Sequence, residues 1–375
     1  LWIQIKSNIN DMENQIQKTC LHDRHVKLGA LMSPFAGFDM PIQYAGITEE
    51  HNAVRGHVGV FDVSHMGEVR VKGPDAYKFV SHIFVNDVTG APDGQIFYGM
   101  MCYENGGTVD DLLVYKVNDE EYFLVINASN IDKDVAWIKK NAEGFNVTVE
   151  DESPVYGELA VQGPEAEETM ERVLGLPVKD IPFYNFKTFK VPGEEIIVSR
   201  TGYTGEDGFE IYGSHDYIIN IWDKLMEAGV QPCGLGCRDT LRFEVGLPLY
   251  GDELSEDISP IEASLSMFVK LDKPEFIGKE ALARQKAEGV KRRIVGLELE
   301  GNAIPRHGYP VEVNGEQVGE ITTGYRSIST GKSVAMAMIN KPYDKLGTEV
   351  EVRIRKKTFP AKVVKKRFYD KNYKK

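Results

Sequence analysis

Residues 98–127 read YGMMCYENGGTVDDLLVYKVNDEEYFLVIN, and this stretch decides how the first half of the chain folds. Two apolar runs flank Asn105-Gly106-Gly107, a combination typical of a tight β-turn. The stretch therefore predicts a β-hairpin, with one strand before the turn and an outgoing strand after it.

Two neighbouring acids, Asp110 and Asp111, follow the turn directly. Because side chains alternate between the faces of a strand, we expect one carboxylate to face solvent and the other to face the covered side of the sheet. A carboxylate on a covered side is costly unless something there needs it. Two interpretations stay open: both acids stabilise the turn, or one of them contacts a ligand.

Length and composition bound the class of protein. The chain has 375 residues, enough for two or three domains, and 42% of them are hydrophobic. The formal charge of −13 argues against a general nucleic-acid binder. Membrane insertion is not expected, because no apolar run approaches the roughly 20 residues that span a bilayer.

The cysteines and the first residues bear on location. Four cysteines, two of them spaced CxxxC at Cys233 and Cys237, form no paired framework and predict a reducing compartment. Since no second pair completes a zinc site, we expect no metal. Residues 1–11 precede Met12 and are expected to be an upstream or non-native extension. They resemble neither a transit nor a signal peptide, so the predicted location is the cytoplasm.

The elements around the hairpin indicate a compact α+β unit. Residues 60–73 predict a strand interrupted at Ser64-His65, and Pro74 opens a helix. After the hairpin, residues 131–142 have one apolar helical face and residues 145–149 predict a strand. The resulting order is β-α-β-β-α-β, which is ferredoxin-like.

A weak internal repeat suggests a second, related unit. The segment VKGPDA at 71–76 resembles VQGPEA at 161–166, and each ends a strand and opens a helix. A second hairpin follows at 196–212, so Asp111 and Glu210 are both predicted on the outgoing strand of a hairpin. If the units pack about a pseudo-two-fold axis, the two carboxylates line one cleft; the alternative is a chance similarity of a Gly-Pro turn.

The last part of the chain predicts a separate small domain. From Arg292 onward, short alternating strands with Gly and Pro turns are typical of a small barrel or jelly roll. Residues 351–375 contain eleven Lys or Arg against two acids. This basic segment is interpreted either as polar strand faces with a frayed tail or as a surface for an acidic partner or a polyanionic substrate tail.

Several kinds of active site are disfavoured by the motifs. Ser64 and His65 are adjacent on a strand, point apart, and lack a G-x-S-x-G elbow, which argues against nucleophilic hydrolysis. The Gly234–Gly236 segment is not a dinucleotide fingerprint, and no GxxxxGK[ST] loop occurs. What remains is a set suited to binding a flat heterocycle, in which carboxylates accept paired hydrogen bonds and rings pack on tyrosines. The set is Tyr98, Asp111, Tyr203, Glu210 and Arg238.

Eight pieces of the sequence, in a single order, resemble the glycine cleavage system T protein family of tetrahydrofolate-dependent aminomethyltransferases. The pieces are PFAGFDMPIQY (34–44), FDVSHMGE (61–68), GGTVDDLLVY (106–115), LAVQGPEA (159–166), RTGYTGEDGFEIY (200–212), GLGCRDTLRFEVGLPLYGDEL (234–254), SPIEASL (259–265) and GYRSISTGKSVAMAMI (324–339). The resemblance runs from about residue 28 to the end of the chain.

The resemblance implies an α+β fold, a three-domain cloverleaf around a folate-binding opening. Its middle domain is ferredoxin-like and its C-terminal domain is a jelly-roll-like barrel. We expect an N-terminal extension and first helix at 1–27, a discontinuous first folate-binding domain at 28–65 plus 150–275, a second at 66–149, and the barrel at 285–375.

The resemblance also implies roles for individual residues. The family's catalytic aspartate falls on Asp111 and its pterin-binding glutamate on Glu210. The family's Ala-Arg-Asp arginine falls on Arg238, although this chain has Cys237 where the alanine is usual. Further pocket residues fall on Met66, Tyr98, Asn127, Tyr203 and Tyr373.

The implied activity is release of ammonia from the aminomethyl-lipoyl arm of H protein, with transfer of the methylene carbon to tetrahydrofolate. The expected partners are lipoylated H protein and, loosely, the other glycine cleavage components; tetrahydrofolate is the co-substrate and no metal is expected.

Other functions stay open beside this one. A folate-dependent demethylase, or the folate domain of a sarcosine or dimethylglycine dehydrogenase, has the same fold, but the sequence offers no Gly-rich flavin domain. A non-catalytic folate-binding iron–sulfur assembly factor is expected to lack the paired acids. This chain keeps Asp110-Asp111 and has Tyr203, not Cys, between Gly202 and Thr204. The third alternative is a binding module without turnover.

Overall fold

The structure is a computed structural model that describes residues 16–373, so the expectations about residues 1–11 lie outside the described residues. The elements from the N-terminal side are α1 (His22–Lys27), β1 (Leu31–Phe35), β2 (Phe38–Gln43), α2 (Ile47–Gly56) and β3 (Gly59–Asp62). Next come β4 (Gly67–Lys72), α3 (Ala76–Ile83), β5 (Ile96–Cys102), β6 (Thr108–Asn118), β7 (Glu121–Ile126), α4 (Ile131–Asn141) and β8 (Thr148–Asp151).

The second half continues in the same alternation before the barrel. It contains β9 (Tyr156–Gln162), α5 (Ala166–Arg172), β10 (Phe186–Val191), β11 (Glu194–Ser199), β12 (Gly208–Ser214), α6 (His215–Glu227), β13 (Gln231–Pro232) and α7 (Leu235–Glu244). The last elements are α8 (Lys279–Glu288), β14 (Arg292–Leu299), β15 (Pro310–Val313), β16 (Glu316–Arg326), β17 (Ser333–Asn340), β18 (Glu349–Ile354) and β19 (Lys357–Val364).

The predicted turn at residues 105–107 is present, and glycine is required there. Gly106 has φ +89°, a region that only glycine enters without strain. A Cβ on Gly107 would lie 1.9 Å from the backbone oxygen of Glu256, so no larger residue fits. The turn therefore joins β5 to β6 and also lies against the segment that leads to the barrel.

The prediction of a single hairpin is wrong in one respect, because the outgoing strand is two strands. A second turn at Asp119-Glu120 separates β6 from β7, and the two pair antiparallel with Asn118 opposite Glu121. The Asn118 side chain accepts a hydrogen bond from the Glu120 N–H at 2.8 Å, which makes a turn without glycine. The order is thus β-α-β-β-β-α-β rather than the ferredoxin-like β-α-β-β-α-β.

The internal repeat is confirmed at the level of topology. The five-stranded sheet has the order β5-β6-β7-β4-β8, and the six-stranded sheet has β10-β11-β12-β9-β3-β13. Each unit follows β-α-β-β-β-α-β in sequence, and β3 is an additional strand between β9 and β13. Because β3 precedes the five-stranded unit in the chain, the arrangement supports the discontinuous first domain that we propose.

Each sheet has its own apolar core, and aromatic side chains join the first two. The six-stranded unit packs around Trp222 and Phe209, and the five-stranded unit around Phe79 and Leu124. Burying one such side chain contributes about 1.5–3 kcal/mol. Between the sheets lies a further cluster whose members include Tyr115, Phe123, Phe186 and Tyr212. The Tyr115 and Tyr212 hydroxyl groups lie 2.9 Å apart, so this cluster joins one face of each sheet to the other.

The C-terminal domain is a closed six-stranded barrel with strand order β14-β17-β16-β15-β18-β19, as the alternating pattern predicts. Its interior is filled by Leu297, Ile321 and other aliphatic side chains. Together the three sheet units give the α+β, three-domain architecture expected from the resemblance. Within residues 16–373, no helix has the length and apolar character needed to cross a bilayer.

Candidate active site

One cavity of about 1260 Å³ lies where the two sheets, α7, the barrel and the C-terminal segment meet. All eight residues predicted for the site line it, although they come from distant parts of the chain. They are Met66, Tyr98, Asp111, Asn127, Tyr203, Glu210, Arg238 and Tyr373. The structure thus brings the predicted residues together; the role of each stays a prediction.

The two neighbouring acids have different surroundings. Asp110 is fully buried and accepts hydrogen bonds from the Asn127 N–H (2.9 Å), the Asn127 side-chain amide (2.9 Å) and the Asn130 side-chain amide (2.7 Å). It therefore anchors β6 to the turn that opens α4. Asp111 is half-buried and lines the cavity.

The expectation that one carboxylate faces solvent is therefore wrong. The face of the sheet that carries Asp110 is covered by α4, whose Ile138 belongs to the core of the unit. Asp110 does not stabilise the turn at 105–107 either, since its partners lie at 127–130. Of the two open interpretations, the position of Asp111 favours a ligand contact.

Asp111 is held by two donors and titrates near neutrality. The Tyr98 hydroxyl donates to its Oδ2 at 2.8 Å, and the Asn127 side-chain amide donates to its Oδ1 at 3.0 Å. Burial and the neighbouring Asp110 raise the pKa of Asp111 to about 7, while these two hydrogen bonds oppose the rise. A carboxyl group with such a pKa can take or release a proton at neutral pH.

Glu210 forms a second carboxylate site on the opposite sheet. It is 6% exposed, and its Oε2 accepts a hydrogen bond from the Thr201 hydroxyl at 2.5 Å. Burial raises its pKa, whereas the Thr201 hydrogen bond and the charge of Arg238 lower it. Although Asp111 and Glu210 both follow a turn, they are not equivalent in the repeat. In each unit three strands follow one another in the chain. Asp111 lies on the second of them in its unit, β6, whereas Glu210 lies on the third in the other unit, β12.

Arg238 supplies a cation to this cavity. Its guanidinium lies 4.8 Å from the centre of the Tyr203 ring, and it has no carboxylate partner within residues 16–373. The Tyr203 hydroxyl in turn donates to the Pro248 carbonyl oxygen. A guanidinium oriented by an aromatic ring and lacking an ion pair is suited to bind an anionic group of a ligand.

The C-terminal segment reaches the cavity, as the prediction for Tyr373 requires. The Asn372 N–H donates to the Gly205 carbonyl oxygen at 2.8 Å, and the Tyr373 ring stacks on Phe183 with centroids 4.3 Å apart. Met66 also lines the cavity, and it packs against the aromatic cluster between the sheets.

Several other polar residues line the cavity and were not predicted, and His65 and Glu158 are among them. Burial and the charge of Arg238 lower the pKa of His65 to about 4, so its imidazole is neutral, and its Nδ1 has no hydrogen-bond partner in the described chain. Glu158 is 2% exposed. The available sequence signals were a charged residue at the start of the apolar segment LAVQ (159–162) and, far from it in the chain, the strand-breaking pair Ser64-His65.

The buried thiols have a neighbour that the sequence did not reveal. Potential ligand atoms of Cys233, Cys237 and Glu50 all lie within 4.8 Å of one another. The Glu50 carboxylate, however, already accepts hydrogen bonds from the backbone N–H groups of Tyr44, Gly46 and Gly234. The expectation that the protein holds no metal stays a prediction.

Comparison with known families defines the class of this fold and site. Residues 21–273 match the GCVT N-terminal domain, and residues 292–370 match the glycine cleavage T-protein C-terminal barrel domain. The chain therefore belongs to the glycine cleavage T-protein family.

Individual proteins are similar over nearly the whole chain. An aminomethyltransferase of Caldanaerobacter subterraneus subsp. tengcongensis is 49% identical over 370 residues, covering 97% of this chain and 99% of that protein. One of Alkaliphilus oremlandii is 50% identical over 366 residues, with coverage of 96% and 100%. The crystal structure of glycine cleavage system aminomethyltransferase T from Bartonella henselae has a TM-score of 0.91 at 33% identity, covering 96% of this chain and 100% of that one.

Proposed function

We propose that the protein is a tetrahydrofolate-dependent aminomethyltransferase of the glycine cleavage system. The reaction takes the aminomethyl group on the lipoyl sulfur of H protein, releases ammonia, and gives 5,10-methylenetetrahydrofolate and dihydrolipoyl H protein. The observation that carries the proposal is the Asp111 carboxyl group, held by Tyr98 and Asn127 on a cavity that also contains Glu210 and Arg238. The names of the similar proteins support the same activity.

The residues of the cavity fit a reduced folate. Its volume of about 1260 Å³ exceeds the roughly 300–1000 Å³ of an ordinary small-molecule site, which leaves room for a second reactant. Glu210 can accept the paired donors of an amino-pyrimidine edge, and Arg238 can bind a carboxylate. The aromatic rings of Tyr98 and Tyr203 supply flat apolar walls.

The chemistry requires positioning and charge stabilisation rather than a protein nucleophile. Tetrahydrofolate supplies the amine nitrogens that take the methylene carbon. Asp111 stabilises positive charge near those nitrogens and holds or takes a proton at its carboxylate oxygens. Tyr98 and Asn127 fix the orientation of that carboxylate, and Glu210 fixes the heterocycle.

The test is a direct assay of turnover. Purified protein is mixed with tetrahydrofolate and H protein that carries the aminomethyl-lipoyl group, and ammonia and methylenetetrahydrofolate are measured. We expect both products in equal amounts, and neither without tetrahydrofolate. Folate binding without ammonia release would contradict the proposal and favour a non-catalytic folate-binding protein, while turnover of an N-methylated amine instead would favour a demethylase.

Partners and location follow as proposals. We propose lipoylated H protein as the partner that delivers the substrate, and no stable partner among nucleic acids or membranes. We also propose a cytoplasmic location, which is supported by four free thiols, since unpaired cysteines are usual in reducing compartments.

A further inference from the structure

Glu158 is a buried acid for which the reaction proposed above has no use. It lies on β9, is 2% exposed, and contributes to the wall of the cavity. Its Oε2 has no hydrogen-bond partner among residues 16–373. Because an unsatisfied buried polar atom costs about 1–3 kcal/mol, such an atom at a cavity wall points to a partner that arrives with a ligand.

The pairing of β9 with β12 places Glu158 on the same face of the sheet as Glu210. Glu158 is directly opposite Tyr212, and Glu210 is directly opposite Ala160. Residues two apart on a strand share a face, so Glu210 and Tyr212 point the same way and Glu158 points with them. The two carboxyl groups are therefore diagonal neighbours on one wall of the cavity.

The two carboxyl groups differ in how readily they ionise. Burial and the nearby Glu210 and Glu68 raise the pKa of Glu158 well above its ordinary value, and Arg238 and the Tyr212 hydroxyl only partly oppose this. The pKa of Glu210 is raised by burial alone and is lowered by Thr201 and Arg238. Glu210 is thus the first to carry the charge, and its charge then disfavours a second one on Glu158.

We propose that Glu158 is a specificity-determining residue that, as a neutral carboxylic acid, donates a hydrogen bond to a carbonyl oxygen of the bound heterocycle while ionised Glu210 accepts from the adjacent N–H donors. This inference rests on the proposed function and deepens it. A neutral acid beside a carboxylate complements a ring edge that presents an acceptor next to donors, as a 2-amino-4-oxo pyrimidine does. A 2,4-diamino ring presents a donor in place of that acceptor and leaves the Glu158 proton without a partner.

The experiment compares two probes, tetrahydrofolate and its 4-amino analogue, by calorimetric titration of the full-length protein. The variants are Glu158→Leu, which removes the donor, and Glu158→Gln, whose amide can donate to an oxygen and accept from an amine. A matched control is Glu312→Gln. Glu312 is a buried glutamate on the barrel strand β15, 4% exposed and paired with Arg353, and it is not part of the cavity wall.

We expect tetrahydrofolate to bind Glu158→Leu about tenfold more weakly than wild type, the effect of one lost hydrogen bond. Glu158→Gln should retain affinity for tetrahydrofolate within about threefold. The preference for the 4-oxo over the 4-amino probe should fall about tenfold or more in both variants. Glu312→Gln should change neither affinity nor preference. Since the preference is a ratio measured within each variant, a general loss of stability does not mimic it.

Unchanged affinity and unchanged preference in both Glu158 variants would overturn the inference while leaving the proposed function intact. If Glu158→Leu does not fold, the preference measured with Glu158→Gln decides alone. Wild type that binds neither probe would overturn the proposed function, and the inference with it.

Discussion

The Asp111 carboxyl group is the reacting residue in the proposed chemistry, and its isosteric replacement tests that role. Asp111→Asn keeps the size of the side chain but removes the negative charge and the proton-accepting oxygen. We expect kcat for ammonia release to fall about 10²–10³-fold, as for other losses of a preorganised charge-stabilising group. Affinity for tetrahydrofolate should stay within about threefold, because Glu210 and Arg238 are unchanged.

The control for this prediction is Asp132→Asn, a substitution of an exposed aspartate on α4 that does not line the cavity. It should leave kcat and affinity at the wild-type values. Near-normal turnover of Asp111→Asn would remove Asp111 from the mechanism.

The pKa of Asp111 also predicts how stability changes with pH. The group has a pKa of about 7 in the folded protein and about 3.9 in an unfolded chain. Between these values the folded state binds more protons than the unfolded state, so the contribution of Asp111 to stability is present below about pH 4 and is lost as the pH rises to about 7. Asp111→Asn has no such titration.

The measurement is urea unfolding of both proteins at pH 5, 6, 7 and 8. We expect the wild type to lose a few kcal/mol of unfolding free energy relative to Asp111→Asn across this range, since each pKa unit corresponds to about 1.4 kcal/mol. A constant difference between the two proteins would show that the Asp111 carboxyl group titrates normally.

The turn between β5 and β6 shows how one element depends on a neighbour that is distant in sequence. Gly107→Ala places a Cβ 1.9 Å from the Glu256 backbone oxygen, and neither backbone can retreat without breaking the hydrogen bond from Thr108 N–H to the Ser255 oxygen. We expect a loss of about 1–3 kcal/mol in unfolding free energy, which is the usual cost of overpacking.

The matched substitution for this turn is Gly56→Ala, where a Cβ meets no atom within 4 Å. Thermal unfolding should show a lowered transition for Gly107→Ala and an unchanged or slightly raised one for Gly56→Ala, since alanine favours helix. Equal transitions for the two variants would contradict the close approach at Glu256.

At the scale of the whole molecule, a buried arginine joins the proposed first domain (28–65 plus 150–275) to the barrel. Arg242 on α7 donates to Asp239 (2.7 Å), to Glu253 (2.9 Å) and to the Thr323 hydroxyl on β16 (3.2 Å). Arg242→Met leaves the Glu253 carboxylate, which is 1% exposed, without its cation. We expect a loss of about 3–5 kcal/mol in unfolding free energy by urea titration.

A matched variant is Arg284→Met on the exposed side of α8, which should change the unfolding free energy by no more than about 0.5 kcal/mol. If both variants change the unfolding free energy by similarly small amounts, the packing of the barrel against the proposed first domain does not depend on Arg242.

Much of the fold was predictable because local patterns agree with it. The Asn-Gly-Gly turn, the helix that follows Pro74 and the alternating strands after Arg292 are features of short segments, and all three are present. The second turn in the 98–127 stretch was not predictable by the same means. It contains no glycine or proline, and it depends on a side-chain hydrogen bond from the Glu120 N–H to Asn118.

The candidate site, like the fold, was predictable from the sequence only in part. The sequence by itself determined which residues to suspect, since paired acids after a turn, a Gly-rich hairpin with Glu210, and Arg238 are local features that the family resemblance reinforces. Only the tertiary structure decided that Asp110 is an anchor and Asp111 faces the cavity, because this depends on which face of β6 is covered by α4. It alone also placed Glu158 beside Glu210, because pairing between β9 and β12 joins residues that are about fifty positions apart and that no local pattern connects.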